Sequence, residues 1–84
     1  MDVKEIRNGN NVELDVRAIQ EAGEEPFDAI MNAVKSLKSD DLFVLHSRIK
    51  PEPLITLMER KGFDNEVEQI DEYHWKITFK KENE

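Results

Sequence analysis

Two apolar stripes of helical period are interleaved with segments of strand-like pattern, and this alternation restricts the fold more than any other feature of the chain. The first stripe is Phe27, Ile30, Met31, Val34 and Leu37, spaced for one face of a 3.6-residue helix. Pro26 suits the first helical position, where its missing N–H has no partner in any case. Glu24 and Glu25 stand at the positive end of the helix dipole, and Lys35 and Lys38 at the negative end. The spacing predicts a helix over 26–37. The second stripe is Leu54, Ile55, Leu57 and Met58. It follows Pro51, Glu52 and Pro53, whose prolines are tolerated where the first N–H groups are unpaired, and Gly62 supplies the stop. A second helix is expected over 51–61.

The strand-like segments frame these helices. Val12, Leu14 and Val16 alternate with Glu13, Asp15 and Arg17, the period of a strand with one buried face. Residues 19–25 hold Gly23 and several acids and read as a loop. Leu42-Phe43-Val44-Leu45 lacks alternation, as in a strand buried on both faces or central in a sheet. Residues 66–70 form a third strand with Val67 inward. Trp75, Ile77 and Phe79 alternate with His74, Lys76, Thr78 and Lys80 in the clearest strand of all. The order is β-α-β-α-β-β. Helical crossovers join parallel strands, and they are right-handed in ~98% of cases. Both helices are therefore expected on one face of a four-stranded sheet, leaving Glu13, Asp15, Lys76 and Thr78 on the other.

Size and charge limit what such a domain can do. At 84 residues the chain makes one small domain, too short for a deep cleft between two. Residues 11–80 are expected to form it, with 1–10 a flexible N-terminal segment and 81–84 a frayed end. Asp and Glu number 19 against 12 Lys and Arg, a net charge of -7. This disfavours binding to nucleic acid phosphates or to an anionic membrane surface. Cysteine is absent, which removes disulfides, thiolate metal sites and thiol catalysis. Neither a signal peptide nor an apolar run long enough for a membrane span is visible, so a cytoplasmic location is expected.

The segment Leu14-Asp15-Val16-Arg17 and the Glu25-Pro26 step opening the first helix resemble the TusA (SirA-like) sulfur-carrier superfamily. That superfamily carries a Cys-Pro-x-Pro motif at this helix. Here the stretch is Gly23-Glu24-Glu25-Pro26, so Gly23 replaces the sulfur-carrying cysteine and only Pro26 remains. A closer likeness is to a cysteine-free relative, domain-of-unknown-function family 2249. It rests on Leu14-Asp15-Val16-Arg17, Pro26-Phe27, Leu42-Phe43-Val44-Leu45-His46, Pro51-Glu52-Pro53-Leu54 and His74-Trp75. The resemblance spans Val12 to Phe79. It implies an α+β fold, a two-layer α/β sandwich whose mixed sheet has its last strand antiparallel to the rest. It implies no known reaction.

Candidate functional residues gather at one edge of this sheet. The C-terminal ends of the first two strands lie together, where ligands bind in open α/β sheets, and both helices begin there. Arg17, His46, Arg48 and Lys50 could surround a small anion. Equally, they could form a solvated rim paired with Glu24, Glu25 or Glu52, since surface ion pairs are common and weak. His46 could act as acid, base or ligand, or simply hold a loop carbonyl. Two histidines and a carboxylate could bind zinc, but His46 and His74 lack ligand spacing, and no metal or cofactor is expected. Ser47 adjoins His46 without a positioned base, and no catalytic group is assigned.

The residues point to a small binding or regulatory module rather than an enzyme. Its partner would be a small anionic ligand or a protein, held at the edge bearing Arg17, His46, Arg48 and Lys50. A monomer or weak homo-oligomer is expected. The alternatives are an accessory enzyme or carrier in sulfur or redox metabolism without its own thiol, and an assembly protein pairing through an edge strand.

Overall fold

The computed structural model describes residues 4–81. Its framework follows from inward-facing apolar side chains on three adjacent strands. Val12 and Leu14 lie on β2 (Asn11–Asp15), Phe43 and Leu45 on β3 (Leu42–Ser47), and Ile77 and Phe79 on β5 (His74–Lys81). All six are fully buried on one face of the sheet. Phe43 pairs with Phe79 across β3 and β5, their rings stacked at 5.9 Å. This one core also takes Ile30 and Ala33 of α2 (Phe27–Lys35), and Leu54 and Met58 of α3 (Glu52–Arg60). The remaining elements are β1 (Lys4–Asn8), α1 (Arg17–Glu21) and β4 (Phe63–Asp71).

The sheet has five strands in the order β1-β2-β3-β5-β4. β2 and β3 are parallel, while β5 is antiparallel to both β3 and β4. The α+β class, the mixed sheet and the antiparallel last strand match the expectation. The expected four strands and two helices do not. A fifth strand comes from the segment read as flexible. Lys4–Asn8 pairs antiparallel with β2, and Asn8 faces Asn11 across a two-residue turn. Gly9 takes φ of +65° in that turn, the place where a II′ hairpin requires glycine. Arg7 holds β1 down, donating through Nη2 to the buried Asp41 carboxylate at 2.9 Å. Residues 1–3 and 82–84, also read as parts of frayed ends, lie outside the described residues.

Other boundaries shift for local reasons. A third helix, α1, begins at Arg17, expected to lie in the first strand, and takes residues 19–21 of the stretch read as a loop; it buries only Ile19, too little to make a stripe. α2 ends at Lys35, and Leu37 packs against the core beyond it. β3 buries alternate residues Phe43, Leu45 and Ser47, so it is not buried on both faces; it is instead the central strand of the five, the other meaning of its unalternating run. Among the described residues the far face carries no helical layer, and neighbouring side chains only half cover Leu42, Val44 and His46 there. β4 is longer than expected and lies at the sheet edge. It buries only Phe63, and Val67 is exposed. No helix among the described residues is long and apolar enough to cross a membrane.

Candidate functional site

The strand-end edge is built by three loops leaving the sheet on the helix side. β2 runs into α1, whose Gln20 ties the edge together. The Gln20 Nε2 amide donates to Ser47 Oγ at 3.0 Å, and its Oε1 accepts from the Arg48 N–H at 2.7 Å. The segment from Gly23 to Phe27 then turns into α2, with the Glu25 carboxylate accepting from the Phe27 N–H. The Ile49–Pro51 segment turns into α3. Tyr73, between β4 and β5, closes the remaining side and stacks under the Arg48 guanidinium at 5.0 Å.

These pieces enclose a groove of about 800 Å³. Pro26, Phe27, Ile30, Ile49, Pro51 and Leu54 are among its walls, with Gln20, Ser47 and Arg48 as polar groups. Its size and apolar walls with a few convergent polar groups are those of a small-molecule site. Phe27, Ile49 and Tyr73 are exposed there. Arg48 Nε is buried without a hydrogen-bond partner among the described residues. A buried donor left unpaired costs about 1–3 kcal/mol, which an acceptor in the groove would recover once the Arg48 side chain turned to meet it.

The four residues grouped by sequence divide between two places. Arg48 lines the groove. Arg17 and His46 instead line a smaller hollow on the open face of the sheet, with Ile6, Glu13 and Asp15. Lys50 is exposed and belongs to the lining of neither. Arg17 is already committed: its Nε and Nη2 grip the Asp15 carboxylate at 3.0 and 2.7 Å. That hydrogen bonding holds the Asp15 carboxyl below its ordinary range, against the opposing effect of burial, and raises the Arg17 guanidinium.

His46 is also engaged. Its Nε2 faces Glu13 Oε2 at 2.5 Å, and its Nδ1 faces His74 Nε2 at 2.8 Å. The three side chains come from adjacent strands β2, β3 and β5. Ser47, next in sequence, points to the other face, so its hydroxyl meets Gln20 and the Ile49 N–H and not an imidazole. Among the described residues, no group of three or more His, Asp or Glu side chains converges to hold a metal ion.

Sequence reasoning missed Gln20, Ile49 and Tyr73 of the groove, and the contact between His46 and His74. Strand parity carries the second signal. His46 is opposite in sense to Leu45, and His74 to Trp75, so both histidines belong on the open face of neighbouring strands. The groove residues gave no such signal, because turns direct Ile49 and Tyr73, and Gln20 lies on a helix too short to show a stripe.

A family model described as Uncharacterized conserved protein (DUF2249) matches residues 13–81, from Glu13 in β2 to the end of β5. No curated protein and no solved structure matches the chain. β1 precedes the matched stretch, whereas Arg17, His46, Arg48 and every groove-lining residue fall inside it. With the match covering most of its length, the chain belongs to the DUF2249 family of uncharacterized conserved proteins.

Proposed function

We propose that this protein is a small binding or regulatory module whose groove takes an anion with an apolar body, either a free ligand or a group presented by a partner protein. The buried, unpartnered Nε of Arg48 beside apolar walls carries this reading. A bare inorganic ion would satisfy the guanidinium but leave Phe27, Ile49 and Leu54 without contact. An apolar body would cover them, at roughly 25 cal/mol per Å² removed from water.

The TusA-like relationship fits the same place. Gly23, Glu24, Glu25 and Pro26 stand at the positions of the carrier motif, of which they keep only Pro26, and all four line the groove. On this reading the ligand edge of a sulfur-carrier fold persists while its thiol chemistry has gone.

The test is an amide NMR titration with phenyl phosphate, hexanoate and inorganic phosphate. Shifts at Phe27, Ile49 and Tyr73 are expected with the first two. Arg48→Ala removes a charge-assisted hydrogen bond of about 1.5–3 kcal/mol, so affinity falls tenfold or more. Arg17→Ala leaves affinity unchanged, because Arg17 serves Asp15 in the other hollow. Shifts confined to the hollow around His46 would move the site out of the groove.

A further inference from the structure

We infer that His46 and His74 form a transition-metal site on the open face of the sheet, with Glu13 orienting His46. The argument starts from hydrogen-bond inventory. A carboxylate can only accept, so the contact between Glu13 Oε2 and His46 Nε2 places a proton on Nε2. Nδ1 of His46 lies only 2.8 Å from His74 Nε2, a separation at which one proton, supplied by either ring, bridges the two nitrogens. A cation can take the place of that proton. The bridging proton then leaves to solvent or to the other nitrogen of its own ring, and two lone pairs face a common cation.

Imidazole nitrogen selects zinc, copper or nickel over the hard cations, which prefer oxygen. Two nitrogens bound to zinc at ~2.0–2.1 Å in tetrahedral geometry stand roughly 3.3 Å apart. The existing pair must open by about 0.5 Å to reach that. His74 is the first residue of β5, directly after the Glu72–Tyr73 turn. His46 lies within the sheet, its side chain 14% exposed. The carboxylate on its far nitrogen is the arrangement that fixes ring and tautomer at metal-binding histidines. Nearby charge is balanced: Asp15 is taken by Arg17, and Lys76 stands opposite His46 in register. Among the described residues only two donors face the gap, so the other coordination positions belong to water or to an incoming group.

The experiment is calorimetric titration of the untagged chain with zinc chloride, paired with NMR of the ring nitrogens. One zinc per chain is expected, with shifts at His46 Nδ1 and His74 Nε2. His46→Ala and His74→Ala each abolish that event; His74 begins a hairpin strand and its loss spares the fold. Glu13→Gln weakens affinity by about 10–100-fold. Arg48→Ala, in the groove on the other side, binds zinc normally, which keeps this site separable from the groove reading. Two results overturn the inference: no heat and no ring-nitrogen shift at millimolar zinc, or zinc binding that survives in both histidine variants and so belongs to the acidic surface. An unchanged affinity in Glu13→Gln removes the orienting role of Glu13.

Discussion

Asp41 shows how far a single residue can depart from its local pattern. Beside Asp40 it reads as turn, yet its side chain is 2% exposed. Its carboxylate accepts from Arg7 Nη2 and from the Lys38 N–H at 2.8 Å, tying β1 to the turn between α2 and β3. The Arg7 hydrogen bond, with the Lys38 N–H next, holds the Asp41 carboxyl below its ordinary range. A depressed folded-state value means that the stabilisation is complete above the unfolded value and lost as pH falls through the folded one. Urea midpoints measured from neutral pH down through the carboxylate range are therefore expected to fall. In Arg7→Ala that decline is shallower, because the group that depresses Asp41 is gone. An identical slope in the variant would show that other carboxylates carry the acid sensitivity.

At the scale of elements, legibility tracked burial. α2, α3 and β5 were readable because each presents a repeated apolar face. Boundaries slipped at Leu37, whose N–H bonds the Val34 carbonyl in a tighter turn beyond α2, and at Lys61, the exposed cap of α3 that still donates to the Leu57 carbonyl. β1 was missed because its outward chemistry is polar and Ile6 is 59% exposed. The signal that does mark it is Gly9-Asn10, a hairpin dipeptide whose flanks gave no apolar alternation. Gly9 has open space around it, so the cost of a side chain there is purely conformational. Gly9→Ala is expected to lose roughly 1–2 kcal/mol, the penalty of a left-handed backbone for an L-residue, measurable by urea unfolding. Loss of hydrogen-exchange protection should begin in β1 and the edge of β2. The candidate site was half legible for the same reason: position along a strand located Arg48 at the edge, but strand parity sends His46 to the opposite face.

For the whole molecule, one core serves both faces of function. It positions the groove on the helix side and the histidine pair on the open side. An 84-residue chain has roughly 4–12 kcal/mol of stability in all. Phe79→Ala, at the centre of that core, is expected to remove about 3–5 kcal/mol, a large share of it, and to lower the thermal midpoint accordingly. Unchanged melting would mean that the stacked pair with Phe43 does not organise the sheet. The outer side of β4 has a different consequence. This nine-residue strand ends the sheet and has no neighbour beyond it among the described residues. Asp64, Glu66 and Glu68 recur at every second position along it, opposite Lys80, Thr78 and Lys76 of β5. A second copy approaching this border would bring its own carboxylates against them, so the chain guards itself against growing into fibrils by repulsion and not by concealment. Such protection lasts only while the carboxylates stay ionised and unscreened, which makes acid and concentrated salt the conditions under which this protein should first begin to stack.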